Sequence, residues 1–260
     1  MTTMTESTIV KQEMFDEDVM KALLIDPRFS KKDLAKLSNY NKHRITGSTV
    51  NVLYKFGKGC EERKLGRLFP DGGIGLQSYR SDIRSPLSQK WYWDTDVENA
   101  HYVIALEFCR KYNLKHDKIL QYVDNRDDCL ALVSSSRKKA KTEFLKVLYG
   151  GDITLYINFF QEVEGGITSA GFEFLHEIEA EVSNLMTVVW DKNPDLHKLK
   201  TGKENKMICK KPNPKASLMS LLFQTEERLI LLLWDKFLQD NNRCLSVLIH
   251  YGGFVKKFEG

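Results

Sequence analysis

The stretch Trp91-Tyr92-Trp93-Asp94-Thr95-Asp96-Val97, followed by Glu98-Asn99 and then an apolar run from Ala100, decides the fold class. Residues 91–97 are aromatic and compact, the composition of a strand. Residues 100–112 carry Val103, Ile104, Ala105, Leu106 and Phe108, the apolar body of a helix packed behind that strand. Asp94 and Asp96 are two apart, so they share one face if the strand continues that far. A carboxylate at the end of a strand, just before a helix, is a usual place for a metal ligand. The ordinary alternative is that Asp96 or Asn99 simply caps the helix.

Working outward, residues 1–56 read as helical and polar. Apolar residues recur at helical spacing over residues 14–25, and Pro27 ends that pattern. Ser30-Lys31-Lys32-Asp33 opens a second short helix. Gly57-Lys58-Gly59 and Asp71-Gly72-Gly73 punctuate a turn-rich stretch. Downstream, residues 115–123 and 127–132 read as short helices. Ser134-Ser135-Ser136 is a helix-start signal before a basic helix over residues 137–148. Residues 169–189 form an amphipathic helix, and residues 191–216 read as a mobile loop rich in Lys, Asn, Pro and Gly. A long helix spans residues 218–238. A strand over residues 244–250 meets Gly252-Gly253, which turns into a second strand over residues 254–258.

The chain has 260 residues, 42% hydrophobic, 11% aromatic and 28% charged. That is ample for a buried core and excludes global disorder. No apolar run is long enough to span a membrane, so no membrane partner is expected. With Glu6, Glu13, Asp16, Glu17 and Asp18 near the N-terminus, no signal or transit peptide is expected there. Five scattered cysteines without a Cys-x-x-Cys pair point to an intracellular, reducing compartment, cytoplasm or nucleus, and to no zinc site. The net charge of +4 is mild, but basic residues cluster at 31–44, 63–67, 137–146 and 192–215. Any one cluster is ordinarily a solvated face; together they admit nucleic acid as a partner.

Arg137, Lys141, Leu145 and Tyr149 are spaced four apart and make one stripe on a helix, ending at Gly150-Gly151. Two cations suit a triphosphate, and the aromatic end suits a base or sugar. By itself the stripe is also what an ordinary surface helix with a core-facing Tyr shows. Other signals are weak. His176-Glu177-Ile178-Glu179-Ala180 has Ala where a metalloprotease helix needs its second His. Asp71-Gly72-Gly73-Ile74-Gly75 lacks the Gly-Lys-Ser/Thr of a phosphate-binding loop. No Ser-His-Asp arrangement can be assigned. Trp91 and Trp93 are expected in the core rather than as base-stacking platforms.

The order of these segments resembles the palm and fingers of family A DNA polymerases, the group of bacterial DNA polymerase I. Gly66-Arg67-Leu68 and then Leu76-Gln77 resemble the family's primer-template contact region. The Asp96 strand resembles motif A. The helix with Ala140-Lys141-Thr142 and Val147-Leu148-Tyr149-Gly150 resembles the fingers helix of motif B. Phe223-Gln224-Thr225 and Leu248-Ile249-His250 resemble the approach to motif C and motif C itself. The resemblance covers residues 63 to the C-terminus.

The resemblance implies an α+β right-hand palm and fingers with a small antiparallel sheet. Residues 1–62 would form a helical, thumb-like segment. Residues 63–260 would be a palm with inserted fingers, the motif B helix lying at about 136–150. It implies template-directed nucleotidyl transfer on primer-template DNA with nucleoside triphosphates and two Mg²⁺ ions. Asp96 would bind metal, with Asp94 beside it. Arg137 and Lys141 would hold the triphosphate, and Tyr149 would close behind the base pair. Arg67, Gln77, Arg84 and Gln224 would touch nucleic acid, and His250 would sit by the primer terminus. His101 stands where DNA-making members usually have a sugar-sensing Glu, which leaves the choice between deoxy- and ribonucleotides open.

Two departures matter. The family's motif C has Asp after His, and here Tyr251 follows His250. Tyr is a poor Mg²⁺ ligand, and two-metal transfer needs carboxylates shared between ions roughly 4 Å apart. The chain is therefore expected to be an inactivated form, in preference to one in which Asp94 substitutes from the motif A strand. The chain also stops soon after motif C, and no proofreading domain is expected in these 260 residues. The alternatives are a non-catalytic nucleic-acid-binding protein with a polymerase fold, and an RNA-making polymerase or primase. A viral or mobile-element origin is compatible with such a compact form.

Overall fold

Along Thr49–Phe56, Val50, Val52, Tyr54 and Phe56 are buried while their neighbours are not, the signature of a strand with one face on a core. The computed structural model describes residues 8–151, 167–241, 243–249 and 252–257. They gather into two units. One comprises Met1–Glu98 and Thr225–Gly260, the other Asn99–Gln224. The dividing points lie at 98/99 and 224/225.

In the first unit, β1 (Thr8–Met14), α1 (Glu17–Leu24), α2 (Lys31–Lys42), β2 (Arg44–Thr46), β3 (Thr49–Phe56) and β4 (Leu68–Pro70) come in chain order, with α3 (Ser81–Ser88) and β5 (Tyr92–Asp96) after them. β3 pairs antiparallel with β1, β2 and β4. Asp16 caps α1 by accepting from the Asp18 and Val19 amides, and Ser30 caps α2 by accepting from the Asp33 amide.

The helical reading of residues 1–56 is corrected here, because β1, β2 and β3 lie within them. The reason is chemical. The two fully inward positions of β1 are Lys11 and Glu13, so its sequence lacks the apolar alternation that marks a strand. Both charges are answered by distant groups. Lys11 pairs with Asp235. Glu13 accepts from the Tyr40 hydroxyl at 3.0 Å, the Tyr54 hydroxyl at 2.7 Å and the Leu76 amide at 2.8 Å. Met14 belongs to β1 and not to the first helix.

The second unit holds α4 (Ala100–Lys111), α5 (Asp117–Asp124), α6 (Arg126–Val133), α7 (Arg137–Leu148) and α8 (Ser169–Lys192), then the hairpin β6 (Lys200–Thr201) and β7 (Lys206–Met207). The expected loop over residues 191–216 thus contains a paired hairpin and short 3-10 turns. The core of this unit is aromatic. Tyr122 stacks on Phe144 at 4.0 Å between centroids, and the Tyr102 hydroxyl donates to the Phe144 carbonyl at 2.7 Å. Buried Glu181 on α8 accepts from the Lys118 and Ile119 amides at 3.1 and 3.0 Å, which satisfies the start of α5.

α9 (Pro214–Asp240) has its residues up to Gln224 in the second unit and those from Thr225 in the first. β8 (Leu245–Ile249) and β9 (Gly252–Lys256) complete the first unit. They form a second antiparallel sheet with strand order β5-β9-β8. The chain is an α+β protein with small antiparallel sheets. None of the described helices is long and apolar enough to cross a membrane.

Candidate functional site

The register of the three-stranded sheet places Asp96. Asp96 pairs with Gly252 across β5–β9, and Gly252 pairs with Ile249 across β9–β8. Asp96, Gly252 and Ile249 therefore lie in one row across the sheet. The sequence connecting the last two is residues 250 and 251. His250 and Tyr251 themselves lie outside the described residues. Gly252 permits the close approach, because a Cβ there would sit 1.9 Å from the Thr95 carbonyl oxygen and 2.8 Å from the Asp96 Cα.

Strand alternation puts Tyr92, Asp94 and Asp96 on one face. At the start of that face Tyr92 stacks on Phe254, with centroids 5.6 Å apart and planes at 20°. At its end both carboxylates are exposed. A hard divalent ion takes oxygen ligands of this type. Among the described residues no cluster of three or more His, Cys, Asp or Glu side chains forms a metal site. Trp93, expected in the core, is 62% exposed with the Lys257 ammonium 4.6 Å from its ring centroid, and Trp91 is only half-buried. Trp93 projects from the edge strand on the face opposite Asp94 and Asp96, which is why its aromatic character misled.

In the second unit, α7 presents the stripe read from the sequence. Ala140, Phe144, Val147 and Leu148 are buried. Arg137 and Leu145 are exposed, and Lys141 and Tyr149 are half-buried. Ser136 caps the helix by accepting from the Lys139 amide. At the other end the Gly151 amide donates to the Lys146 carbonyl at 2.8 Å and the Gly150 amide to Val147 at 3.0 Å. Gly150 has φ 69°, so the pair forms a left-handed helix stop that fixes Tyr149 as the last residue before it. The Arg137 guanidinium is paired with Asp127 at 2.5 Å, an exposed contact worth little in water.

Tyr149 and His101 are brought together. The Tyr149 hydroxyl is hydrogen-bonded to Nδ1 of His101, and the rings meet edge-on with centroids 5.5 Å apart. His101 is buried and also lies 6.3 Å from the Phe223 ring.

The expected nucleic-acid contacts are placed as follows. Arg67 is largely buried and donates through Nε and Nη2 to the Glu227 carboxylate at 2.9 and 2.7 Å. Gln77 donates to the Leu68 carbonyl at 3.2 Å. Arg67 and Gln77 line one small pocket together with Glu227, Leu231, Leu248 and Ile249. Arg84 donates to the Tyr79 carbonyl at 3.1 Å. Gln224 lies in the second unit and donates to the Ser220 hydroxyl at 3.1 Å.

Sequence reasoning missed Glu227, Asp235 and Glu13 as buried carboxylates. No local pattern marks them, since their partners lie far along the chain. Burial pushes the Glu13 carboxyl up to about 7, against the lowering effect of its hydrogen bonds to the Leu76 amide and to Tyr54 and Tyr40.

The chain is similar to the helicase-named protein V13 of Sputnik virophage, 24% identical over 200 residues that make up 75% of this chain and 24% of that protein. It therefore spans about a quarter of the length of the curated relative it matches. No family model and no solved structure matches the chain.

Proposed function

We propose that this chain binds primer-template nucleic acid and a nucleoside triphosphate in the manner of family A DNA polymerases, as a nucleotidyl transferase whose turnover is impaired by Tyr251. The observation that carries the reading is the row Asp96–Gly252–Ile249. It sets the motif A-like carboxylate in register with the ends of the β8–β9 hairpin whose connection holds His250-Tyr251. Topology alone did not have to arrange this, since the two segments are more than 150 residues apart in the sequence.

In this reading Asp96, with Asp94 beside it, holds a divalent ion of the Mg²⁺ type. Such an ion neutralises developing charge on a transferring phosphoryl group. Arg137 and Lys141 bind the triphosphate through charge-assisted hydrogen bonds. His101 and Tyr149 act as one unit at the nucleotide sugar and base. Arg67, Gln77, Arg84 and Gln224 are the contacts to the primer-template.

The substitution of Tyr for Asp at 251 favours a second reading, a binding protein that kept the polymerase fold without its chemistry. The virophage relative accords with a viral or mobile-element source, and its helicase name belongs to a protein about four times as long as the matched segment. The first reading requires templated nucleotide binding, and the second requires only nucleic-acid binding. A primer-template complex should be stabilised by the next complementary nucleotide more than by a mismatched one in a gel-shift assay. Equal stabilisation by all four nucleotides contradicts the first reading and leaves the second.

A further inference from the structure

Between Lys192 and Lys215 the sequence holds eight lysines against two acids, Asp195 and Glu204. This segment carries more positive charge than the net +4 of the whole chain. It is also built, not slack. β6 and β7 pair with Lys200 opposite Met207 and Thr201 opposite Lys206. The Ile208 amide donates to the Leu199 carbonyl at 3.0 Å and the Cys209 amide to His197 at 2.9 Å. Leu196 and Ile208 are buried beneath. The His197 ring lies flat on Trp190, with centroids 3.5 Å apart and planes at 13°.

Two of the lysines are used to fasten the segment. Lys211 donates to the Thr201 hydroxyl at 2.7 Å and Lys215 to Thr187 at 3.0 Å. Lys198, Lys200, Lys203, Lys206 and Lys210 are exposed. Among the described residues none of these five ammoniums is paired with a carboxylate.

We propose that this lysine hairpin is a separate nucleic-acid contact that grips the phosphate backbone independently of the nucleotide stripe on α7. Holding like charges on an ordered hairpin costs self-repulsion, which a polyanion removes. The choice of polyanion follows from what the hairpin lacks. A lipid surface is engaged by an apolar face, and a protein partner by a desolvated aromatic or apolar anchor. The segment exposes no large apolar side chain. Phosphates regularly spaced along a nucleic acid need only cations. This inference does not depend on nucleotidyl transfer.

The test is fluorescence anisotropy of the whole chain and of its Lys200→Gln/Lys203→Gln/Lys206→Gln variant with fluorescein-labelled DNA, duplex and single-stranded, over a salt series. The variant should bind at least tenfold more weakly at low salt, and its log–log salt slope should be shallower by about three on duplex. These are exposed residues, so the circular dichroism spectrum and melting temperature should be unchanged. As a second readout, a thiol-reactive fluorophore on Cys209, the exposed cysteine, should change its emission when DNA is added. Unchanged affinity and slope on both DNA forms, or a silent Cys209 probe, overturns the proposal. No primer extension by Tyr251→Asp, with the salt slopes as expected, would sink the nucleotidyl-transfer reading and leave this one standing.

Discussion

Tyr149, which caps the C-terminus of α7, is hydrogen-bonded through its hydroxyl to Nδ1 of His101, a buried residue in the first turn of α4 and 48 positions earlier in the chain. The two residues read from the sequence as nucleotide contacts are thus one coupled pair. Tyr149→Phe removes one hydrogen bond from a buried imidazole. The expected cost is about 1 kcal/mol of stability, read by denaturant unfolding. A variant as stable as the parent would show that the bond carries no net weight.

The pair gives position 101 a consequence for sugar choice. In a Tyr251→Asp background, His101→Glu is expected to shift use towards deoxynucleotides, measured by competition between deoxy- and ribonucleotides. An unchanged ratio removes His101 from the sugar site.

Lys141→Ala separates nucleotide binding from nucleic-acid binding. Loss of a charge-assisted hydrogen bond is worth about 1.5–3 kcal/mol. Nucleotide affinity is therefore expected to fall at least tenfold while DNA affinity stays near that of the parent. Equal weakening of both ligands would make the α7 stripe a general basic face.

The candidate site was legible where its geometry is local. The Ser136 cap, the four-residue spacing of Arg137, Lys141, Leu145 and Tyr149, and the Gly150 stop are all contained in a few turns of chain, and α7 has the expected bounds to within a residue. β5 was legible for the same reason, whereas Gly252 and Gly253, read as a turn, are the first residues of β9 and pair with Asp96 and Thr95. β1 was not, because Lys11 and Glu13 occupy its inward positions and are satisfied by Asp235, Tyr40 and Tyr54. The resemblance implied a nucleic-acid contact for Arg67, and nothing in the sequence marked its partner Glu227, 160 residues away. Long-range pairing of charges leaves no periodic trace in a sequence.

Glu13 links stability to pH. Its carboxyl is raised from 4.5 to about 7 by burial, so the folded state holds the proton more tightly than the unfolded state does. The stabilisation from that proton is complete below about 4.5 and is lost as pH rises towards 7 and beyond. A change of this size corresponds to roughly 3 kcal/mol. The difference in unfolding free energy between the parent and Glu13→Gln should therefore move against the parent across that window and level off above it. A difference independent of pH would show that Glu13 does not titrate there.

The most direct test of the central claim is primer extension with Mg²⁺ or Mn²⁺. Tyr251 offers a neutral phenol, with an unperturbed pKa of about 10, where a carboxylate is needed to share the second ion. The parent chain is expected to extend a primer poorly or not at all. Tyr251→Asp is expected to gain metal-dependent extension by orders of magnitude, and adding Asp96→Ala to abolish it. Extension by the parent as fast as by Tyr251→Asp, or no extension by Tyr251→Asp under either metal, would contradict the account.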